Sequence, residues 1–265
     1  MAPAKVITLI TDFGDAGGYA GIMKGVILSI NPQCQIIDIT HHIPPQDREE
    51  AAFVLQSVHP FFPSDSVHLV VVDPGVGSSR KPIIVESGQN WFVGPDNGVF
   101  SFIYLMNQQK TVWEITNEEY CLSQASSTFH GRDIFAPIAA HLSLGVSPHV
   151  LGKEIEHYVQ LDGLEPEIRE DVLKARVVCI DHFGNLVSNI SRQFFTRAVG
   201  EKPFRIRVGG QVINRISDTY ADAGDREVIA LFGSSGQLEI AVRNGDCQKL
   251  LQVTTGSEVS VHVLP

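Results

Sequence analysis

Hydrophobic and polar positions follow one rhythm over the first part of the chain, in which a short apolar run gives way to a Gly-bearing polar loop and then to a stretch of helical period. Val6 to Ile10 reads as a strand ending in Thr11-Asp12-Phe13-Gly14, and Gly14, Gly17 and Gly18 lead into a helix predicted over Tyr19–Ile30 and closed by Asn31-Pro32. Gln35–Ile39 is the next strand. Arg48–His59 then places Ala51, Ala52, Val54, Leu55 and Val58 at helical spacing. Leu69-Val70-Val71-Val72 is an unbroken apolar run of β-branched character, which suits a strand buried on both faces. Asp73, Pro74 and Gly75 stop it, because Pro and Gly end a ladder and let the backbone turn. Pro82–Val85 and Trp91–Val93 predict a hairpin around Gly88-Gln89-Asn90, and the polar turn Gly94–Gly98 opens a helix over Val99–Leu105. A further apolar helix is predicted over Ile134–Leu144. Repeated strand, loop and helix predict an α/β layer with a largely parallel sheet.

Around Leu151–Lys174 the pattern changes: periodicity fades, and acidic residues and Pro166 accumulate. Ala175–Ile180, Phe204–Val208, Val228–Phe232, Gln237–Val242 and Val259–Val263 then alternate or run apolar, with glycines between them. This places a domain boundary near residue 168, with an N-terminal α/β domain over 1–168 and a smaller β-rich domain over 169–265.

Composition narrows the classes. With 265 residues and 43% hydrophobic positions the chain is able to bury a full core. A formal net charge of −10 argues against nucleic acid as partner, since phosphate binding needs a basic face, and is compatible with a cationic small molecule. No apolar run is long enough to span a membrane, and no basic-then-apolar signal opens the chain, so no membrane association is expected. Four cysteines stand far apart without CxxC spacing, as reduced residues of a cytoplasmic protein would.

Chemistry concentrates at strand ends. Asp12 and Asp73 stand where strands stop, the edge at which open α/β sheets bind ligands, and Arg80 follows within reach of Asp73. A turn-capping Asp and a surface Arg would look the same in this stretch. His130 lies in Ser127-Thr128-Phe129-His130-Gly131-Arg132-Asp133, just before an apolar helix that Ser127 or Thr128 can cap, and whose N-terminus favours negative charge. On local grounds the more ordinary reading of His130 is a satisfied loop histidine. A GxGxxG fingerprint is absent, Lys24 lacks Walker spacing, and His41-His42 precede Pro44-Pro45 with no spaced carboxylate, so they read as loop residues and no metal is expected. The turns Asp181–Asn185 and Gly233–Gly236 are explained by turn chemistry alone.

Taken together, ITDFG (10–14), VVDPGVGSSR (71–80), GPDNGVF (94–100), TFHGRD (128–133), IDHFGNLVSNI (180–190) and SSGQLEIAV (234–242) resemble the S-adenosyl-L-methionine (SAM) hydroxide adenosyltransferases, the adenosine-forming SAM hydrolases related to fluorinase and chlorinase. The resemblance covers nearly the whole chain. It implies an N-terminal α/β domain, a C-terminal β-barrel, and a homotrimer binding SAM between one subunit's N-terminal domain and its neighbour's C-terminal domain. It implies no cofactor. Asp73, Arg80 and His130 match the set that holds the attacking water, and Asp12 the carboxylate on the ribose hydroxyls. Asp181, Asn185, Ser235 and Glu239 match contacts to the methionine portion and adenine, with Val242 a backbone contact. The halogenating relatives lack the Asp-Arg-His set, so its presence points to water as nucleophile. The other readings are a SAM-dependent halogenase, a metal-dependent hydrolase built on Asp12, Asp73, Asp96 and His130, and a SAM- or adenosine-binding module without turnover.

Overall fold

The computed structural model describes residues 5–107, 109–123 and 126–265, and the chain divides into two units, residues 1–161 and 162–265. The first unit runs β1 (Val6–Thr11), α1 (Tyr19–Ile30), β2 (Gln35–Thr40), α2 (Arg48–Val58), β3 (Val67–Val71), β4 (Pro82–Ser87), β5 (Asn90–Pro95), α3 (Ser101–Met106), β6 (Lys110–Ile115), α4 (Ala136–Ser143), α5 (Pro148–Leu151) and β7 (Gly152–Glu154). Its strands form one sheet in the order β2-β1-β3-β5-β4-β6-β7. Neighbouring strands from β2 to β5 pair parallel. The tight β4–β5 hairpin then reverses the chain, and β4, β6 and β7 extend the sheet in antiparallel pairs. The sheet is therefore mixed, parallel on one side and antiparallel on the other.

Side chains of β3 alternate between two buried faces, as the pleat requires. Leu69 and Val71 pack with Met23 and Ile27 of α1 and with Ile138 and Ala139 of α4. Val70, and Val72 just past the strand, pack with Ala51 and Leu55 of α2 and Ile103 of α3. Each such side chain contributes about 1.5–3 kcal/mol on burial.

The second unit runs β8 (Glu167–Arg169), β9 (Val172–Ile180), β10 (Leu186–Ser191), α6 (Arg192–Val199), β11 (Phe204–Val208), β12 (Gln211–Ile213), β13 (Ile216–Ser217), β14 (Val228–Phe232), β15 (Gln237–Val242), α7 (Cys247–Leu251) and β16 (Glu258–Val263). They form a nine-stranded sheet in the order β12-β11-β16-β9-β10-β15-β14-β13, with β8 beside β9. Ile206 and Ile213 near one end share a core with Ala230 and Leu238 near the other, so the sheet curls round its own apolar face. It forms a curled half-barrel, a coarser result than the β-barrel the resemblance implies. Among the described residues no helix is long and apolar enough to cross a membrane.

Candidate active site

In the first unit β1 is followed in space by β2 on one side and β3 on the other, so chain order reverses between β1 and β3. Such a switch point opens a crevice at the carboxyl ends of the strands. Thr11 pairs with Val71 across it, so the segments carrying Asp12 and Asp73 leave the sheet at the same edge. The two carboxylates singled out by sequence thus stand just past the same edge of the sheet, at its switch point.

The loop after β3 folds Arg80 back onto Asp73. Arg80 Nε donates to both Asp73 oxygens at 3.0 Å, and Nη2 donates to Oδ2 at 2.5 Å. Only 8% of the Arg80 side chain and 6% of the Asp73 side chain are exposed, so this pair is shielded from screening by solvent. Arg80 Nη2 also lies 2.6 Å from His130 Nδ1. The guanidinium sits over the Phe135 ring, 5.2 Å from its centroid. Nη1 is buried without a hydrogen-bond partner among the described residues.

Glycine makes this convergence possible. Gly77 has φ +77, and a Cβ there would lie 2.4 Å from the Ser127 carbonyl oxygen, so the Asp73 loop reaches the segment leading to His130 only because that side chain is absent. His130 opens a π-type turn over Gly131–Phe135 that precedes α4, in place of the continuous helix expected from Ile134. Turns of this kind re-aim side chains at functional sites.

A guanidinium has no acceptor, so His130 Nδ1 must accept from Arg80 and the proton of the neutral ring sits on Nε2. Burial first, and then the Arg80 charge, hold the imidazole below the ordinary histidine value, while Asp73 and Asp133 pull the other way.

The remaining motifs of this unit support the site. Asn97 Nδ2 donates to the Val72 carbonyl at 2.9 Å, which holds the end of the central strand. Asp96 Oδ1 accepts from the Val159 amide at 2.8 Å. Asp12 Oδ2 accepts from the Gln46 amide at 2.8 Å. His41 Nδ1 lies 2.9 Å from the Thr11 hydroxyl, a structural loop contact. Sequence reasoning missed an aromatic trio: Phe13, Tyr19 and Phe129 meet with centroids 5.2–5.8 Å apart. It ties the loop after Asp12 to the residue before His130. The signal was available, since Phe13 and Phe129 stand beside those two residues in the chain.

In the second unit, Asp181, Asn185, Glu239 and Val242 line one cavity of about 970 Å³. Ser235 does not line it, although its neighbour Ser234 does. Asp181 Oδ1 accepts from the Phe183 and Asn185 amides, both at 2.9 Å, and Oδ2 accepts from Asn185 Nδ2 at 2.8 Å. That locks the turn and orients the Asn185 amide. Glu239 Oε2 accepts from the Tyr220 hydroxyl at 2.7 Å. Burial raises the Glu239 carboxyl above its ordinary value, the Tyr220 hydrogen bond opposes this, and the Asp181 charge adds to it. Tyr220 and Arg243 also line the cavity and were not anticipated. Arg243 directly follows the SSGQLEIAV stretch, whereas Tyr220 sits in a polar segment with no motif around it.

Among the described residues no group of three or more His, Cys, Asp or Glu side chains is placed to hold a metal.

The SAM hydroxide adenosyltransferase N-terminal domain model matches residues 7–152, and the C-terminal domain model matches residues 175–260. The chain belongs to the SAM hydroxide adenosyltransferase family. A relative from Salinispora tropica named (R)-S-adenosyl-L-methionine hydrolase is 36% identical over 98% of this chain and 99% of its own. Another of that name from Methanocaldococcus jannaschii is 36% identical over 97% and 95%. A fluorinase from Nocardia brasiliensis is 25% identical over 97% of each chain. The crystal structure of an uncharacterized conserved protein from Thermotoga maritima superposes with a TM-score of 0.89 at 36% identity, covering 97% of this chain and 99% of that one. Within this family frame Asp73, Arg80 and His130 form one connected cluster, and four of the five residues expected in the second unit share one cavity.

Proposed function

We propose that this chain hydrolyses S-adenosyl-L-methionine to adenosine and L-methionine by attack of an activated water at C5′. The observation that carries the reading is the Arg80 guanidinium held between Asp73 and His130 with its Nη1 donor left over. The full-length relatives named (R)-S-adenosyl-L-methionine hydrolase agree with it.

The leaving group needs no help, because a sulfonium departs as neutral methionine. The nucleophile is the difficulty, since water is weak and hydroxide scarce at neutral pH. A buried N–H without a partner costs on the order of 1–3 kcal/mol, and a water bound at Arg80 Nη1 satisfies it. There the guanidinium charge stabilises developing hydroxide. His130, with its proton on Nε2, orients the water as a donor. Asp73 accepts three contacts from Arg80 through Nε and Nη2 and, with about four lone-pair sites, has one left to take the proton directly or by relay. In-line placement at C5′ contributes up to about 7–11 kcal/mol through orientation.

In this reading Asp12 holds the ribose hydroxyls, while Asp181, Asn185, Ser235 and Glu239, with the Val242 backbone, hold the methionine portion and adenine. The enzyme is a cytoplasmic homotrimer in which one subunit's residues 1–168 and its neighbour's residues 169–265 share each substrate. Incubation with SAM followed by chromatography tests the reaction: adenosine and methionine are expected, in the presence of a chelator and without halide dependence. S-adenosylhomocysteine or methylthioadenosine as product would overturn it.

A further inference from the structure

Tyr220 is a cavity residue that neither the sequence pattern nor the turn motifs single out, and its placement is specific. It lies between β13 and β14 on a short turn fixed by a reciprocal cap: the Thr219 hydroxyl accepts from the Ala221 amide, and the Asp222 carboxylate accepts from the Asp218 and Thr219 amides. From that anchored turn the phenol crosses to β15 and donates to Glu239 Oε2 at 2.7 Å. The other side of Glu239 is confined by Gly233, where a Cβ would lie 1.7 Å from Oε1. The carboxylate is therefore held between a donor that fixes one oxygen and a backbone that fits the other.

The cavity is lined by further charged groups. Asp181 from the β9–β10 turn acts on Glu239 as a like charge. Asp218 lines the wall beside Tyr220. Arg243 also lines it, with Nη1 committed to the Ala221 carbonyl at 3.2 Å and the Ala223 carbonyl at 2.5 Å. Glu239 is thus a mostly buried carboxylate among other acids, 8% exposed, and it needs a donor to stay ionised.

We propose that Tyr220 is a positioning residue for substrate binding, which keeps the Glu239 carboxylate oriented and ionised toward a cationic substrate. The inference rests on the SAM-hydrolase reading, because it takes SAM as the cation. The phenol transfers no proton to substrate and touches none of the reacting atoms. It acts through Glu239, so its effect falls on binding rather than on turnover.

The test is KM and kcat for SAM as a function of pH in the wild-type chain and in Tyr220→Phe, which keeps the ring and removes one hydroxyl. A hydrogen bond to a charged group of this kind supports about a tenfold rise in KM in Tyr220→Phe with kcat within about twofold. The signature that distinguishes positioning from mere packing is the pH profile. Without the phenol donor the Glu239 carboxyl titrates higher, so the acid-side rise in KM begins at higher pH in Tyr220→Phe. In Glu239→Gln that acid-side rise disappears, and adding Tyr220→Phe to it shifts nothing further, since the two act as one unit. A Tyr220→Phe profile that superposes on wild type, or an equal shift on either Glu239 background, overturns the proposal. Failure of the wild-type chain to consume SAM overturns the underlying reading instead, so the two outcomes are separable.

Discussion

The Arg80 guanidinium joins Asp73 and His130, and with the water proposed at its third nitrogen it is the residue whose loss should be felt most. Its fork holds Asp73 through Nε and Nη2, Nη2 also reaches His130, and Nη1 has no partner among the described residues. Lysine reproduces the charge but not the planar fork, so Arg80→Lys is expected to behave close to Arg80→Ala. Asp73→Asn, Arg80→Ala and His130→Ala should each lower kcat by about 10²–10⁴-fold while SAM binding is retained. Asp12→Ala should instead raise KM, because the ribose contact proposed for it would be made in ground and transition states alike. Steady-state kinetics with calorimetric binding distinguish the two classes, and Arg80→Ala turning over at the parent rate would remove its assigned role. The pH dependence follows from the tautomer. His130 must be neutral to accept from Arg80, and its value is held below the ordinary one by burial first and the neighbouring guanidinium second. Turnover is therefore expected to be level above pH about 7 and to fall as pH drops through and below the ordinary histidine value of about 6.5. A kcat profile with its acid limb centred above that value would contradict the neutral ring.

At the scale of elements, the site depends on loops that approach one another closely. Gly77→Ala places a methyl carbon 2.4 Å from the Ser127 carbonyl on a backbone at φ +77, so the Asp73 loop has to retreat from the His130 segment. The expected cost is about 1–3 kcal/mol in stability and up to about 10²-fold in kcat, since small displacements of a water-holding set are expensive. Thermal melts and kinetics on one sample check both, and unchanged kcat would mean that this approach does not position the set. The elements that carry the site were legible for the same physical reason that they are stable. From Leu69 on, β3 is buried on both faces and reads as an unbroken apolar run, although the strand begins two residues earlier with Val67 and the buried His68, and α1 falls over the residues its period and its Asn31-Pro32 stop predict. Elements whose buried positions are polar were not legible. β10 hides Ser188, which donates to the Leu238 carbonyl at 2.8 Å, and Asn189, which accepts from the Arg176 amide at 2.9 Å, so its pattern resembles a turn. β6 places Glu114 within 3.3 Å of Lys153, a partner distant in sequence, and its alternation was missed. Tyr220 was invisible because its partner lies 19 residues further along the chain.

For the whole molecule the proposed arrangement has a consequence that no single-subunit site shares. The groups assigned to the water lie between residues 73 and 130, while those assigned to the methionine portion and adenine lie between 181 and 242. If one substrate bridges the first set of one subunit and the second set of its neighbour, damage to the two sets complements in trans. Arg80→Ala subunits keep an intact second set, and Asn185→Ala subunits keep an intact first set. Each homogeneous assembly is expected to be nearly inactive. Co-expression with two affinity tags and purification through both isolates mixed assemblies, and in a closed ring of three each of these leaves about one site in three with both sets intact. Activity should therefore recover to a fraction of that order, and simple mixing of the two purified homotrimers without exchange should recover none. A site contained within one subunit predicts no recovery, because every subunit then carries a lesion in its own site. Verified mixed assemblies without activity would therefore place both sets on the same subunit. Recovered activity scaling with the mixed fraction would tie the excluded-water environment of the reaction to the subunit seam, where a single positioned water is the reactant.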